Sequence, residues 1–585
     1  MPRKQQPLAS PRTVVRRPVA GRPAAAPRDP NGIYPATRQE LRPIALASII
    51  LGFLALMVVA SRGWMLLYGD AVAHLGIARR ILDARYPGIA QLGGVWLPLP
   101  HLLMLPFVQK MDWWQNGAAG AWPSLAAYVL ANTGMYALAR KLVPQAWAFA
   151  ATAFFALNPN LLYLATTAMT EPLFLALMLW SVVVAYEGVE ALAAAQIARA
   201  KWRLIVSSIL TFAMVMTRYD GWILGAAIWL VLAIAWVRSV KSTRKATQNA
   251  FILMTVITIA GPVLWLLYNA KYEGDWLDFM RGPYSAKAIE AKTTPPGSKP
   301  RRGMYNPGWA LIYFTRAAQV DAVAYELGFI AMALALVGSW LAWTKRISRV
   351  ALLLWVPLPF YVYSIAWGSI PMFVPQLYPG SYYNSRYGME LLPVLAIFTA
   401  ITLAAAERWI RARNAKRADI FFFLSLVAIL FNVVAMMGTF GVLLKSVRGQ
   451  DAYVPKWLSA PPLVFQEGVV NSTTRIPFEL QIAREMLRIG EGQPVMFNTN
   501  DHIGAVQDAG IPLKRLISPL DSQTFDRAAQ APAKFAKVII AIDGDPVAKA
   551  VKEHPEGLAE IEVICTTGQG CARFYRSDVY TGGMQ

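Results

Sequence analysis

The sequence predicts a polytopic α-helical membrane protein of about 11 transmembrane helices with a small extracytoplasmic α/β domain at its C-terminus. Hydrophobic residues make up 56% of the chain and charged residues only 15%, whereas roughly a quarter of the residues in a soluble domain are charged. Several apolar runs reach the length of about 18 residues that a spanning helix requires. Beyond residue 444 the hydrophobicity falls, and helix-like and strand-like runs alternate.

The charge distribution argues against nucleic acid as a partner, although the formal net charge is +22. Most of the basic excess lies in residues 1–43 and in short loops between apolar segments, as expected of charges that anchor a membrane protein on its cytoplasmic side. Residues 1–43 are rich in Pro, Ala and Arg and have no apolar periodicity. We therefore predict a disordered basic cytoplasmic tail.

The apolar segments define a transmembrane domain at residues 44–444. The predicted spans are 44–67, 118–139, 146–165, 171–188, 204–217, 221–237, 249–269, 321–343, 350–370, 389–406 and 419–443. The run at 96–108 is short and contains three prolines, which disfavour a helix interior. We predict that it lies at the interface or re-enters, without spanning.

Basic residues in the short loops support this topology. They are Arg140 and Lys141; Arg199, Lys201 and Arg203; Arg238, Lys241, Arg244 and Lys245; Lys345, Arg346 and Arg349; and Arg408, Arg411, Arg413, Lys416 and Arg417. With the N-terminus inside, every one of these loops falls on the cytoplasmic side, as the positive-inside rule requires. If 96–108 spanned, all of them would face outward.

Two external loops and the C-terminal segment are then predicted to share the opposite side. The first loop, 68–117, contains an amphipathic helix at 71–85. The long loop at 270–320 has the length of an active-site lid. Residues 445–585 form the predicted α/β domain, in which Cys565 and Cys571 are positioned to form one disulfide across a hairpin.

Ionisable and aromatic side chains recur where apolar helices end on the external side, which makes them candidates for a functional site. They are Asp70, His74, His101, Glu171, Arg218, Tyr219, Asp220, Arg386 and Tyr387; Tyr284, in the long loop at 270–320, is a further candidate. Each also has a structural interpretation: Asp70 as an N-cap, Glu171 as a favourable charge at a helix start, Asp220 as the partner of Arg218. Together they would form one pocket, in which a carboxylate acts as general base and arginines bind a phosphate.

Several motifs resemble the GT-C superfamily of integral-membrane glycosyltransferases. They are Gly69-Asp70 after the first span, Ile77-Ala-Arg-Arg-Ile-Leu, Trp96-Leu-Pro-Leu-Pro-His-Leu-Leu, Thr170-Glu-Pro-Leu-Phe, Thr217-Arg-Tyr-Asp-Gly-Trp and Ser385-Arg-Tyr-Gly-Met-Glu-Leu-Leu-Pro. The sequence is most similar to bacterial relatives of dolichyl-phosphate-mannose protein mannosyltransferases and lipid A aminoarabinose transferases. The resemblance extends over about residues 68–393.

The resemblance implies a polyprenyl-phosphate sugar donor, an extracytoplasmic acceptor (protein, lipid or glycan), an inverting displacement and a location in the bacterial inner membrane. It implies that Asp70 is the base and that Glu171 positions the acceptor or the base. Arg218 and Arg386 would bind the phosphate, and the remaining candidates would contact substrate. Many relatives have two adjacent acids where this chain has Asp70-Ala71, so we predict no cofactor and no obligatory metal.

Other interpretations stay open at this stage. A divalent cation held by Asp70, His74 and Glu171 is one. A transporter or flippase would also line a cavity with charges, but midplane helix breaks and paired repeats, which are typical of transporters, are not evident in the sequence. A non-catalytic subunit of cell-envelope polysaccharide assembly would need no base. The sequence does not indicate the sugar, the acceptor, the oligomeric state or the role of the C-terminal domain.

Overall fold

The computed structural model describes residues 34–581, apart from 295–296, 325, 346–347, 439–444, 446–461 and 490–491. Within this part of the chain, eight helical segments are long and apolar enough to cross a membrane, and a small sheet follows them. The protein is therefore a multi-pass helical membrane protein with a C-terminal α/β domain, and the predicted fold class is confirmed. The number of 11 spans stays a prediction.

The helices begin and end as follows. They are α1 Arg38–Ser61, α2 Gly69–Asp83, α3 Leu99–Val108, α4 Met111–Asn116, α5 Ala118–Ala139, α6 Gln145–Ala156, α7 Pro159–Leu164, α8 Glu171–Ala193, α9 Ile197–Val215, α10 Asp220–Arg238, α11 Lys241–Tyr272, α12 Asp278–Arg281, α13 Ala286–Thr293, α14 Pro307–Ala322, α15 Leu327–Thr344, α16 Pro357–Trp367, α17 Leu392–Arg411, α18 Ala415–Met436, α19 Leu463–Ser472, α20 Arg475–Ile489, α21 Thr499–Ala509, α22 Ser522–Ala529, α23 Pro532–Phe535 and α24 Pro546–Glu553. Short 3₁₀ segments precede α16 and α17, at Ser348–Trp355 and Ser385–Leu391.

The first helix begins earlier than the sequence predicted. We expected a disordered tail through residue 43, but α1 begins at Arg38 because Thr37 and Glu40 form a capping box. In this motif each side chain accepts a hydrogen bond from the other residue's backbone N–H, which satisfies two donors at the helix start. Residues 1–33 of the predicted tail and the predicted domain boundary at residue 444 lie outside the described residues.

The segment predicted as one span at 146–165 is two helices, α6 and α7. Pro159 disfavours the helical conformation of the residue before it, and the side chain of Asn158 accepts from the backbone N–H groups of Asn160 and Leu161 at 3.0 and 3.1 Å. The prediction of one continuous helix there was wrong because local capping stops α6 and starts α7.

Helix α3 lies in the run at 96–108 that we predicted not to span. It has 10 residues and therefore a length of about 15 Å, which is too short to cross a membrane.

Helix α2 is more deeply buried than an amphipathic surface helix. Residues on all its faces are buried, including Leu75, Gly76 and Arg79. A Cβ on Gly76 would lie 2.9 Å from the Ile503 side chain of the C-terminal domain. The helix is therefore enclosed between the membrane domain and the C-terminal domain, which positions its first turn.

The C-terminal domain is built on a five-stranded sheet with the order β2-β1-β3-β5-β4. The strands are β1 Val495–Phe497, β2 Leu516–Ile517, β3 Val538–Ile542, β4 Leu558–Thr566 and β5 Gly570–Ser577. The first three strands are parallel and fully buried, as expected of apolar strands covered by helices. The antiparallel hairpin of β4 and β5 places Cys565 opposite Cys571, and the two are joined in a disulfide.

We predict the orientation of the chain from the basic loops, and paired cysteine labelling measures it. Ser381 and Ser242 are both exposed; Ser381 lies next to the 3₁₀ segment that precedes α17, and Ser242 begins α11. In intact cells, an impermeant thiol reagent should label Ser381→Cys and should label Ser242→Cys only after permeabilisation. The native cysteines are disulfide-bonded, so the unsubstituted protein is the blank. Labelling of Ser242→Cys in intact cells would contradict the orientation.

Candidate functional site

Arg386 is the centre of a buried charge cluster at one end of the helical bundle. It lies in the 3₁₀ segment before α17, and its guanidinium contacts three carboxylates from distant parts of the chain. Its Nη2 donates to Asp70 in the first turn of α2, and its Nε donates to Glu171 Oε1 at 3.2 Å. Its Nη1 donates to Glu467 Oε1 of α19 at 3.4 Å. One side chain therefore joins the loop at 68–117, the membrane helices and the C-terminal domain.

Arg218 lies on the other side of Glu171 and is surrounded in the same way. Its Nη1 donates to the Thr170 hydroxyl at 2.9 Å and to Glu171 Oε1 at 3.1 Å. Its Nε donates to Asp220 Oδ2 at 3.2 Å, and its Nη2 lies 3.2 Å from Glu390 Oε1. A single oxygen of Glu171 thus bridges two guanidinium groups, which offsets much of the cost of burying them.

Tyr361 closes the inner side of the cluster. Its hydroxyl accepts from Arg218 Nη2 at 2.7 Å and lies 2.9 Å from Asp220 Oδ2 and 2.7 Å from Glu390 Oε1. A phenol has one hydrogen to donate, so the hydroxyl donates to one carboxyl group at a time. Glu390 has no exposed side-chain surface; its position depends on this hydroxyl and on Arg218.

The carboxylates differ sharply in their access to solvent. The side chains of Glu171, Asp220 and Glu467 are each 1% exposed, whereas that of Asp70 is 41% exposed. Asp70 does not cap α2, because the cap position is Tyr68. Among the acids of the cluster, Asp70 is thus the one that an incoming substrate can reach.

Aromatic rings cover the two guanidinium groups. The centre of Tyr387 lies 4.8 Å from the Arg386 guanidinium carbon and 5.0 Å from that of Arg218. The centre of the Tyr68 ring lies 5.2 Å from the Arg386 guanidinium carbon. Arginine is well suited to such stacking because its guanidinium is planar and weakly hydrated.

The two predicted histidines pair with each other and do not join the ion pairs. His74 Nδ1 lies 2.8 Å from His101 Nε2, and the His74 ring packs on Trp96 at 4.5 Å. Burial, followed by the charges of Arg386 and Arg218, lowers the pKa of His74 to about 3. Burial also lowers the pKa of His101 well below its usual value. Both rings are therefore neutral near pH 7 and suit hydrogen bonding better than charge neutralisation.

Tyr219 and Tyr284 lie outside the cluster. The Tyr219 hydroxyl donates to the Val95 carbonyl at 2.7 Å and accepts from Trp265 at 3.0 Å. Tyr284, in the long loop at 270–320, accepts from Asn500 of the C-terminal domain. Tyr219 thus holds the first loop against α10, and Tyr284 holds the long loop over the C-terminal domain.

The described residues contain no group of three or more His, Cys, Asp or Glu side chains placed to bind a metal ion. In particular, Asp70 and Glu171 are separated by Arg386, and His74 pairs with His101. A cation held by Asp70, His74 and Glu171 would have to displace this guanidinium.

Sequence reasoning missed three members of the cluster. Glu390 lies in the motif that was recognised for Arg386, four residues after it. This helical spacing could have indicated that the two side chains share one face. Tyr361 lies within an apolar run, where a tyrosine reads as an interfacial residue. Glu467 lies beyond the last span, in a segment without a recognisable motif. No local pattern could have indicated Glu467.

Comparison with known proteins gives a likeness of fold. No protein-family model and no curated protein matches the sequence. The crystal structure of ArnT from Cupriavidus metallidurans bound to undecaprenyl phosphate superposes with a TM-score of 0.52 at 12% identity, covering 94% of this chain and 100% of that one. The oligosaccharyltransferase AglB from Archaeoglobus fulgidus, in complex with an inhibitory peptide and a dolichol-phosphate, gives 0.43 at 10% identity, covering 91% and 74%.

The fold is similar to that of ArnT over almost the whole length of both chains, and at the level of fold the resemblance stated from the sequence motifs is confirmed. The AglB likeness is too distant to carry an argument.

Replacing Tyr361 by Phe tests the inner side of the cluster. The change removes a buried hydroxyl that contacts Arg218, Asp220 and Glu390. We expect a loss of about 1–3 kcal/mol of stability, typical when buried polar groups lose a partner. Thermal unfolding of the detergent-solubilised protein measures it.

Tyr363→Phe is the matched control, because Tyr363 lies on the same helix and is 59% exposed. It should change stability by no more than about 0.5 kcal/mol. Equal unfolding temperatures for the two variants would show that the Tyr361 hydroxyl does not hold the cluster together.

Proposed function

We propose that the protein is a membrane glycosyltransferase that moves a sugar from a polyprenyl-phosphate donor to an extracytoplasmic acceptor. The observation that carries this proposal is the pairing of Asp70, a solvent-accessible carboxylate, with the buried Arg386. A base and a phosphate-binding cation side by side are the two groups that an inverting sugar transfer from a lipid phosphate needs. The GT-C fold adds to this proposal.

An apolar cavity in the helical bundle is compatible with a lipid-linked donor. A cavity of about 280 Å³ lies between α9, α10 and α11, and its lining includes Val215, Trp222, Trp229 and Pro262. Val215 and Trp222 flank Arg218 along the chain. The related ArnT structure contains undecaprenyl phosphate.

The charge balance of the cluster indicates how the phosphate binds. Arg218 contacts three buried acids, which leaves it few free donors. Arg386 has an exposed partner in Asp70. The donor phosphate would therefore take the place of Asp70 on Arg386 Nη2 and accept charge-assisted hydrogen bonds there. Asp70, released from this pair, would turn to the acceptor.

The reaction follows from this exchange. The acceptor hydroxyl oxygen forms a bond to the anomeric carbon, and its proton passes to the Asp70 carboxylate. The bond from the anomeric carbon to the phosphate oxygen breaks, and the polyprenyl phosphate leaves with the electron pair. Arg386, with Arg218 behind it, stabilises the negative charge of the leaving phosphate. Attack opposite the leaving group inverts the anomeric configuration.

Glu171 and Tyr387 serve to position the arginines. Glu171 Oε1 contacts both guanidinium groups, and the Tyr387 ring lies between them. Glu171 is 1% exposed, so it acts on substrate through the arginines. Asp220 is also 1% exposed and would act in the same way through Arg218. His74 and His101, which are buried and paired with each other, would support the site from beside the cluster. Tyr219 and Tyr284 would shape the entrance for the acceptor. The reaction as written requires no cofactor.

The proposed location is the bacterial inner membrane, with the site facing outward. The disulfide Cys565–Cys571 supports an oxidising compartment for the C-terminal domain. The donor would then be drawn from the outer leaflet, and the acceptor would be a protein, lipid or glycan on that side.

Transfer from a panel of polyprenyl-phosphate sugars, with wild type and Asp70→Asn, tests the function. Removing the base should lower kcat by roughly 10²- to 10⁴-fold. The KM for the donor should stay level or fall, because Asp70 no longer competes for Arg386.

Asp112→Asn is the control, since Asp112 is exposed in the same external loop, and its kinetics should equal those of wild type. If wild type consumes none of the donors in the panel, the glycosyltransferase proposal is overturned. Full activity of Asp70→Asn would overturn the role of Asp70 as base.

A further inference from the structure

Glu467 extends the cluster into the C-terminal domain. It lies on α19, beyond the last membrane helix, yet its side chain is 1% exposed. Its carboxylate accepts from the backbone N–H groups of Asn384 and Ser385 at 2.9 and 2.8 Å, and also from the Ser385 hydroxyl. Its Oε1 further accepts from Arg386 Nη1 at 3.4 Å. Three consecutive residues thus converge on a single carboxylate.

The backbone that Glu467 holds is strained. Asn384 has a φ of +54°, a left-handed conformation that residues other than glycine adopt at a cost. Such conformations persist where the surroundings fix them. Here two successive N–H groups point at the Glu467 carboxylate, which provides that support. The turn that directs Arg386 into the cluster is therefore shaped from outside the membrane domain.

Helix α19 is itself fixed close to Asp70. The Tyr68 hydroxyl donates to the Val464 carbonyl at 2.8 Å, and the Val464 N–H donates to Asn160 Oδ1 at 2.9 Å. A Cβ on Gly468 would lie 3.2 Å from both Leu67 and Tyr68. The helix therefore fits between the segment that leads into Asp70 and the turn that carries Arg386.

We propose that Glu467 is a positioning residue of the transferase site, through which the C-terminal domain orients Arg386. With Nη1 held by Glu467, the guanidinium presents Nε to Glu171 and Nη2 to Asp70. The inference rests on the proposed function, in which Nη2 receives the donor phosphate. It gives the C-terminal domain a part in donor binding.

The contacts distinguish this role from simple domain attachment. Attachment is already provided elsewhere: Arg475 Nη2 donates to the Leu66 carbonyl at 2.8 Å, and Gln115 donates to the Asp508 carbonyl at 3.2 Å. Those contacts reach backbone carbonyls and no side chain of the cluster. Glu467 differs because its partners are Arg386 and the two residues before it.

Glu467→Gln tests the inference, since glutamine has the same shape and lacks the charge that faces Arg386. We expect kcat/KM for the donor to fall roughly tenfold, the loss typical of a charged hydrogen-bond partner, mainly through KM. Hydrogen–deuterium exchange should become faster at the amides of residues 384–386. The second readout needs no substrate and therefore holds even if the glycosyltransferase proposal fails.

Glu485→Gln is the matched control. It also removes an arginine-paired carboxylate from the C-terminal domain, because Glu485 pairs with Arg488, but it does not contact Arg386. It should leave both readouts unchanged. Glu467→Asp keeps the charge and withdraws it by one methylene. Its kcat/KM for the donor and its exchange rates at residues 384–386 should lie between those of wild type and Glu467→Gln. This variant also replaces Glu467→Gln if the latter does not fold.

If Glu467→Gln has the donor kinetics and the hydrogen–deuterium exchange rates of wild type, the inference is overturned and the proposed function stays intact. The same result in Glu467→Asp would also overturn it. Faster exchange together with a raised donor KM, absent from Glu485→Gln, would support it. Absence of transfer by wild type, with faster exchange in the variant, would overturn the glycosyltransferase proposal alone and support the positioning of Arg386.

Discussion

The organisation of the protein depends on the neutralisation of two buried guanidinium groups. Removing an ion from water costs several kcal/mol unless oppositely charged partners surround it. Arg218 and Arg386 meet this requirement with acids drawn from α2, α8, α10, the segment before α17, and α19. Each acid is brought by a different element, so the cluster and the relative placement of these elements require each other.

The sequence allowed much of the fold to be predicted because membrane insertion follows simple rules. Long apolar runs and the side on which lysine and arginine lie depend on local composition. The features that were missed arise from capping and proline. The Thr37–Glu40 box extends α1, and the cap at Asn158 divides the predicted span at 146–165 into two helices. Each of these interactions involves only a few atoms, and a hydropathy pattern does not reveal them.

The candidate site was predicted in part, for a related reason. Four charged residues of the site lie at or next to a helix end: Asp70, Glu171, Arg218 and Arg386. A charge at the end of an apolar run can be recognised from the sequence alone. The pairing of these charges, however, depends on how the helices pack against one another. Glu467 reaches its partners across 81 residues of sequence, and the two-way bridging by Glu171 Oε1 joins residues 47 and 215 positions away. Such pairings are set only when the helices are assembled.

The position of Glu467 after the last membrane helix has a consequence for biogenesis. A chain emerging from the translocon can insert α1 to α18 and still lack the carboxylate that orients Arg386. The charge cluster becomes complete only when α19 has docked beside Tyr68. Partly synthesised or truncated chains in the membrane would therefore carry Arg386 without its third acidic partner.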